Sequence, residues 1–266
     1  MLSDTESKLI TDLLDIAIAL NISCLAIGAN ARQIILDERY QLATQRLTTD
    51  WDFAVQVETW ADYKALGQAL GETSFKQQNE HRFIHTKSLI PLDIIPFGKI
   101  AEPEQALTWP DSEKEMSVLG FQLAYEHAEQ ISINGHTLKL ASLPWHLALK
   151  LIAYGERALE KDLFDINFML EQATEVFSER IFDELADELA SEALSYNEAG
   201  SFLLGKDLSK QVIPELQERL NQVLTQLTTE PYMDIQRHLL KVQIDNDNRL
   251  KDSVERVLAF QQALIS

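Results

Sequence analysis

Apolar residues near the start of the chain recur at helical spacing. Leu9, Ile10, Leu13, Leu14, Ala17 and Ile18 form one stripe, and Ser3 with Glu6 has the spacing of a capping box. The pattern predicts a helix over residues 4–20. A short apolar strand over 24–27 then ends at Gly28, and residues 29–36 open as a helix directly from that glycine. Alternation rich in Val, Phe and Trp predicts a strand over 51–57, followed by a helix over 60–70 with Gly71 as its stop. Two more strands are expected at 82–86 and 89–95. The second is almost continuously apolar apart from Asp93, the mark of a central strand. Residues 131–133 and 137–140 flank Asn134-Gly135, a strong hairpin signal. Everything up to about Ser142 is therefore mixed α/β.

Beyond Leu143 the period changes. Pro144 suits the first residue of a helix carrying Leu147, Leu149, Lys150, Leu151 and Ile152, and helical patterns continue at 161–172, 175–190, 208–227 and 249–265. No alternating strand appears among them. Two domains are expected, an α/β domain over 1–142 and an all-helical one over 143–266.

Composition narrows the function. With 266 residues, 45% hydrophobic and 24% charged, the chain has the make-up of a soluble globular protein with a sizeable core. A single cysteine excludes a disulfide framework and an all-cysteine zinc site. The net charge is −19, and it is evenly spread: residues 1–142 hold 20 acids and 11 bases, residues 143–266 hold 22 and 12. Such a chain repels polyanions at long range, so generic nucleic-acid binding is disfavoured. Met1-Leu2-Ser3-Asp4 lacks the basic-then-apolar order of a signal peptide. The most apolar stretch, 13–27, is interrupted by Asp15, Asn21 and Ser23 and is too short to span a bilayer. A cytoplasmic protein without a membrane partner is expected. Trp51, Trp60 and Trp109 read as core, Cys24 as an inert strand residue, and the acidic run over 179–192 as a solvated helix face. His81 and His85 fall in a predicted strand and make no helix-borne metal pair.

Three features of the first half could carry chemistry. At Ile27-Gly28-Ala29-Asn30 a strand gives way to a helix, where glycine lets the backbone approach a ligand and the first amides favour phosphate. The plain alternative is an ordinary tight turn. In Thr49-Asp50-Trp51-Asp52-Phe53, the two acids sit two apart on a strand and so share a face. Adjacent carboxylates repel unless a cation such as Mg²⁺ or a shifted proton intervenes. A solvated strand end is the alternative. The third feature is Asp93, a carboxylate within an apolar strand. It is costly there unless it binds a cation or pairs with a base such as Arg82. Three carboxylates on neighbouring strands with phosphate-binding amides opposite would suit a two-metal centre for nucleotidyl transfer.

Read in this order, Gly28-Ala29-Asn30-Ala31-Arg32, then Arg46-Leu47-Thr48-Thr49-Asp50-Trp51-Asp52, then Leu92-Asp93-Ile94-Ile95, the chain resembles the DNA polymerase β-like nucleotidyltransferase superfamily. Ala148-Leu149-Lys150-Leu151-Ile152-Ala153 and Lys161-Asp162-Leu163-Phe164-Asp165 make it most similar to the AbiEii/AbiGii-type toxin family of bacterial abortive-infection systems. The resemblance spans about residues 24–210. It implies an α/β nucleotidyltransferase fold, a mixed sheet with flanking helices, followed by an all-helical C-terminal domain. It implies that Asp50, Asp52 and Asp93 are catalytic and hold Mg²⁺, two ions in all, with Asp93 either the general base or a ligand. It further implies that Gly28, Ala29 and Asn30 with Arg46, Thr48 and Lys150 bind the nucleotide. Lys161 and Asp165 read more simply as an i,i+4 helix pair. In place of the superfamily's Gly-Ser or Gly-Gly, the turn has Gly28-Ala29, so a serine contact to phosphate is missing.

These residues imply an enzyme that moves a nucleoside monophosphate from an NTP to an acceptor hydroxyl. The family resemblance further implies the toxin of a toxin–antitoxin pair, with an antitoxin protein as partner. A degenerate binding module and an antibiotic-modifying transferase are the alternatives. The charge favours a protein or small-molecule acceptor over a large nucleic acid.

Overall fold

Ser3 caps α1 (Asp4–Ala19) as its spacing predicts: the hydroxyl accepts from Glu6 N at 3.3 Å, and Glu6 Oε2 accepts from Ser3 N at 3.0 Å. The computed structural model describes residues 2–42, 50–229 and 247–266. They divide into two compact units, Met1–Ser142 and Leu143–Ser266.

In the first unit, β1 (Ser23–Ile27), β2 (Trp51–Gln56), β3 (Phe75–Gln77), β4 (Arg82–His85), β5 (Pro91–Phe97), β8 (Glu129–Ile133) and β9 (His136–Leu140) form one seven-stranded sheet in the order β3-β4-β5-β2-β1-β9-β8. A separate ribbon pairs β6 (Ala106–Thr108) with β7 (Glu115–Ser117). The sheet is mixed. β2 runs parallel to β5 and antiparallel to β1, and β1 is parallel to β9. α2 (Gly28–Ile34) follows β1 without a break and continues into a π-helical turn, Ile35–Arg39. α3 (Trp60–Gly71) is boxed at its start by Thr59 and Asp62. A short α4 (Phe121–Glu126) starts behind Gly120, in left-handed conformation at φ 84°.

Trp51, Phe53 and Val55 point inward from β2 and join Leu9, Leu13, Leu66, Phe83, Leu92 and Ile94 in one buried cluster. Burial drives this layering, since each large apolar side chain removed from water contributes about 1.5–3 kcal/mol. Trp109 is buried too, in tilted and edge-to-face contact with Trp60, Tyr63 and His81. Cys24 is buried, and that burial pushes its thiol up to about 12, which leaves it protonated and unreactive.

The strand expected at 89–95 instead spans Pro91–Phe97. His85 N bonds Ile90 O, and Leu89 at φ 59° turns the hairpin. His85 is fully buried, with Nδ1 2.6 Å from Ser88 Oγ and Nε2 3.2 Å from Asp12 Oδ2, which fastens this hairpin to α1.

The second unit is helical: α5 (Leu143–Arg157), α6 (Glu160–Val176), α7 (Ser178–Glu184), α8 (Ala186–Ala190), α9 (Tyr196–Ser209), α10 (Pro214–Leu227) and α11 (Asp247–Ile265). The continuous helix expected over 175–190 breaks at Phe177 and Leu185, which turn inward and are 4% and 1% exposed. The helix expected over 208–227 is really the end of α9 and the whole of α10. Pro214 cannot donate an amide, so it starts a helix and cannot continue one. α9 packs against α5, α6 and α11. A Cβ on Gly200 would meet the backbone of Ala173 and Thr174, and one on Gly205 the Phe260 carbonyl. These two glycines set how closely the helices approach. No helix among the described residues is long and apolar enough to cross a membrane.

Candidate active site

Strand direction gathers the residues of interest. Because β1 is antiparallel to β2, Ile27 lies opposite Asp52, and the chain turns at Gly28 beside the beginning of β2. Because β2 is parallel to β5, Asp52 lies opposite Asp93. In-register neighbours present their side chains on one face, so both carboxylates emerge together. Trp51, wholly buried on the opposite face, anchors the strand between Asp50 and Asp52.

Gly28 has φ 77°, which suits a residue without a side chain. A Cβ there would collide with Asp52 Oδ2 and lie 2.8 Å from its Cγ. The missing side chain is the space that the Asp52 carboxylate occupies. No side chain caps the first turn of α2. Asn30 is 3% exposed, and its Nδ2 donates to the Asp50 carbonyl at 2.6 Å. Its amide group thus ties α2 to the segment carrying Asp50, a positioning contact that the sequence alone did not suggest. Ala29 lies partly exposed in the same turn. Arg46 and Thr48 lie outside the described residues.

Arg82 is the residue whose importance sequence reasoning understated. It sits opposite Asp93 in the β4–β5 ladder. Its Nε donates to Asp93 Oδ1 at 2.7 Å, while Nη2 donates to Asp93 Oδ2 at 2.6 Å and to Asp50 Oδ2 at 3.2 Å. The hydrogen bond to Asp93, with the charges of Asp93, Asp50 and Asp52, raises the guanidinium above its already high pKa. Hairpin register was the signal that could have found it. Tyr63 braces this corner from α3, its hydroxyl 2.8 Å from Ile94 O and 3.0 Å from Glu80 O. Burial raises the phenol's pKa, with the Asp93 and Glu80 charges adding to it.

Among the described residues, no three His, Cys, Asp or Glu side chains are grouped so that they could hold a metal ion as they stand. Asp93 and Asp50 meet on Arg82 instead. In donor type the set suits a hard divalent cation: three carboxylates borne by adjacent strands, one of them seated where glycine leaves room. The cation that ties two of them here is a guanidinium.

Lys150 belongs to the second unit. Its Nζ lies 3.2 Å from Asp162 Oδ1 and 2.7 Å from Asp165 Oδ2. Arg157 grips the fully buried Asp162 with both Nε and Nη2, at 2.6 and 2.7 Å. The Lys161–Asp162–x–x–Asp165 segment therefore supplies carboxylates to Lys150, a different pairing for Asp165 from the i,i+4 partner expected within its own helix.

No curated protein matches the chain. Among solved structures it is similar to an antigenic nucleotidyltransferase-like protein from Paracoccidioides brasiliensis, at 18% identity and a TM-score of 0.42, covering 71% of this chain and 92% of that one. It is also similar to the CdnE cyclic dinucleotide synthase of Elizabethkingia meningoseptica, solved with GTP and Apcpp, at 10% identity and a TM-score of 0.27, covering 97% and 91%. The family model for the nucleotidyl transferase AbiEii toxin of type IV toxin–antitoxin systems matches residues 39–258, a stretch that contains Asp50, Asp52, Asp93 and Lys150. The chain belongs to the AbiEii family of nucleotidyltransferase toxins.

Proposed function

We propose that this nucleotidyltransferase moves a nucleoside monophosphate from an NTP to an acceptor hydroxyl, with Asp50, Asp52 and Asp93 as the acids that serve the reaction and hold Mg²⁺. The observation that carries the reading is the register: Asp52 opposite Asp93, with the Gly28 turn against the Asp52 carboxylate. The acceptor oxygen would attack the α-phosphorus as the bond to pyrophosphate breaks, and the hydroxyl proton would pass to Asp93. Gly28 and Ala29 would offer their amides to the phosphates, with Asn30 holding the turn in place. Arg46, Thr48 and Lys150 would make further contacts to the nucleotide. A divalent cation bound by the carboxylates would lower the acceptor's pKa and offset charge on the leaving group. The acidic surface favours a protein or small molecule as acceptor. As a family member, the protein would act as a toxin opposed by an antitoxin.

Incubation with each α-labelled NTP and Mg²⁺ in cell lysate, followed by separation of labelled protein, RNA and small molecules, tests this. Label transfer should fall by about a thousandfold in Asp52→Asn, in keeping with a group that acts in the transition state. NTP binding without label transfer from any nucleotide would point to a binding module. Unchanged transfer in Asp52→Asn would remove Asp52 from the site.

A further inference from the structure

We propose that Arg82 is a built-in counter-cation which a divalent metal must displace from Asp93 and Asp50, so that this guanidinium sets the site's affinity for metal. The inference rests on the nucleotidyl-transfer reading for where the metal binds, and on the geometry for everything else. Arg82 engages both oxygens of Asp93 and reaches Asp50 with the same Nη2. Two of the three carboxylates are thus gathered by one side chain.

A divalent ion ligated to those oxygens at about 2.0–2.1 Å would lie within about 4 Å of the guanidinium. At that separation like charges repel strongly in a partly desolvated site. Each carboxylate oxygen keeps a second lone pair, so the exclusion is electrostatic and the two cations compete. Arg82 can yield. Its side chain is 35% exposed, against 16% for Asp93. Its backbone is fixed by the β4–β5 ladder, so only the side chain needs to swing out. Until a metal arrives, the guanidinium offsets the mutual repulsion of Asp93 and Asp50. Arg82 is accordingly a positioning residue, acting through Asp93 and Asp50.

Mn²⁺ titration of the nucleotide-free full chain by calorimetry tests the competition without reference to activity. Arg82→Gln should bind Mn²⁺ about tenfold more tightly than wild type, the scale of one charged hydrogen-bonded contact removed from competition. Its thermal midpoint should be lower than wild type without metal and rise further on adding Mn²⁺. Arg82→Lys retains the charge but not the fork, and should tighten binding by about threefold. It also carries the test if the glutamine variant does not fold. Equal or weaker Mn²⁺ binding in these variants, with wild type binding normally, would overturn the competition and leave the nucleotidyl-transfer reading standing. If neither wild type nor the variants bound Mn²⁺, the metal site itself would fall, and this inference with it.

Discussion

Gly28→Ala should cut nucleotidyl transfer by about a hundredfold or more while the protein stays folded. Two effects converge on that one methyl group. At φ 77° an alanine pays about 1–2 kcal/mol in backbone strain, a cost a protein of this size tolerates. The larger effect is local, because the new Cβ would collide with the Asp52 carboxylate and force it to rotate away. Misplacing a reacting group by about 1 Å can cost about a hundredfold in rate, so transfer should drop by at least that factor. Gly71→Ala is the matched control: it ends α3, has no positive φ, and a Cβ there meets nothing within 4 Å. Circular dichroism melts and the labelled-NTP assay, run on both variants, separate the two effects. Full transfer by Gly28→Ala would mean that the seat of Asp52 beside Gly28 has no part in the chemistry.

The largest stability effect is expected at Asp162. Burial alone would push its carboxyl up. Hydrogen bonds from Arg157, with the charges of Lys150 and Arg157, outweigh that and hold it below the ordinary range. Asp162→Ala should destabilise the protein by about 2–3 kcal/mol, below the usual cost of breaking a buried pair, because Arg157 is 45% exposed and Lys150 keeps Asp165. The pH dependence has a definite sign. A carboxylate whose folded pKa is depressed contributes stability at pH values above its unfolded pKa and loses it as pH falls toward the folded one. Wild type should therefore lead Asp162→Asn by its full margin at neutral pH. The gap should start to close below about pH 4, the unfolded value for aspartate. A gap that stayed constant from pH 7 to pH 3 would mean that Asp162 titrates alike in the folded and unfolded chains.

Elements with strong periodicity were legible from the sequence. The α1 stripe, β1, β2, α3 and the Asn134-Gly135 hairpin all appear where their patterns put them, because a half-buried helix or strand must alternate with its environment. α9 was not legible, for an equally physical reason. It is buried on several sides, which erases the amphipathic signal, and Gly200 and Gly205 read locally as helix breakers. Their purpose is tertiary, to let α6 and α11 approach. β3, β6 and β7 are three residues each, too short to establish a period.

The site divides along the same line. Asp50, Asp52 and Asp93 stood out because carboxylates beside or within apolar strands are costly unless compensated. Arg82 had been named only as one possible partner of Asp93. That it also reaches Asp50 depends on a three-strand arrangement in space that sequence spacing does not contain. Asn30, expected among the nucleotide contacts, donates its side-chain amide to a main-chain carbonyl, a bond that only the antiparallel return of β2 beside β1 could reveal.

The ion pairs have a kinetic corollary. Arg82, Lys150, Arg157 and Arg180 are each engaged by carboxylates within their own unit, which shortens the reach of their positive fields. What an approaching triphosphate meets at a distance is the excess of acids. Attraction would begin only within the last few ångströms, once a metal or a released guanidinium comes into play. Added salt, which shortens the range of the outer repulsion to a Debye length of about 8–10 Å, should therefore speed the encounter with a nucleotide. For enzymes that draw polyanions along a basic track, the same salt slows it.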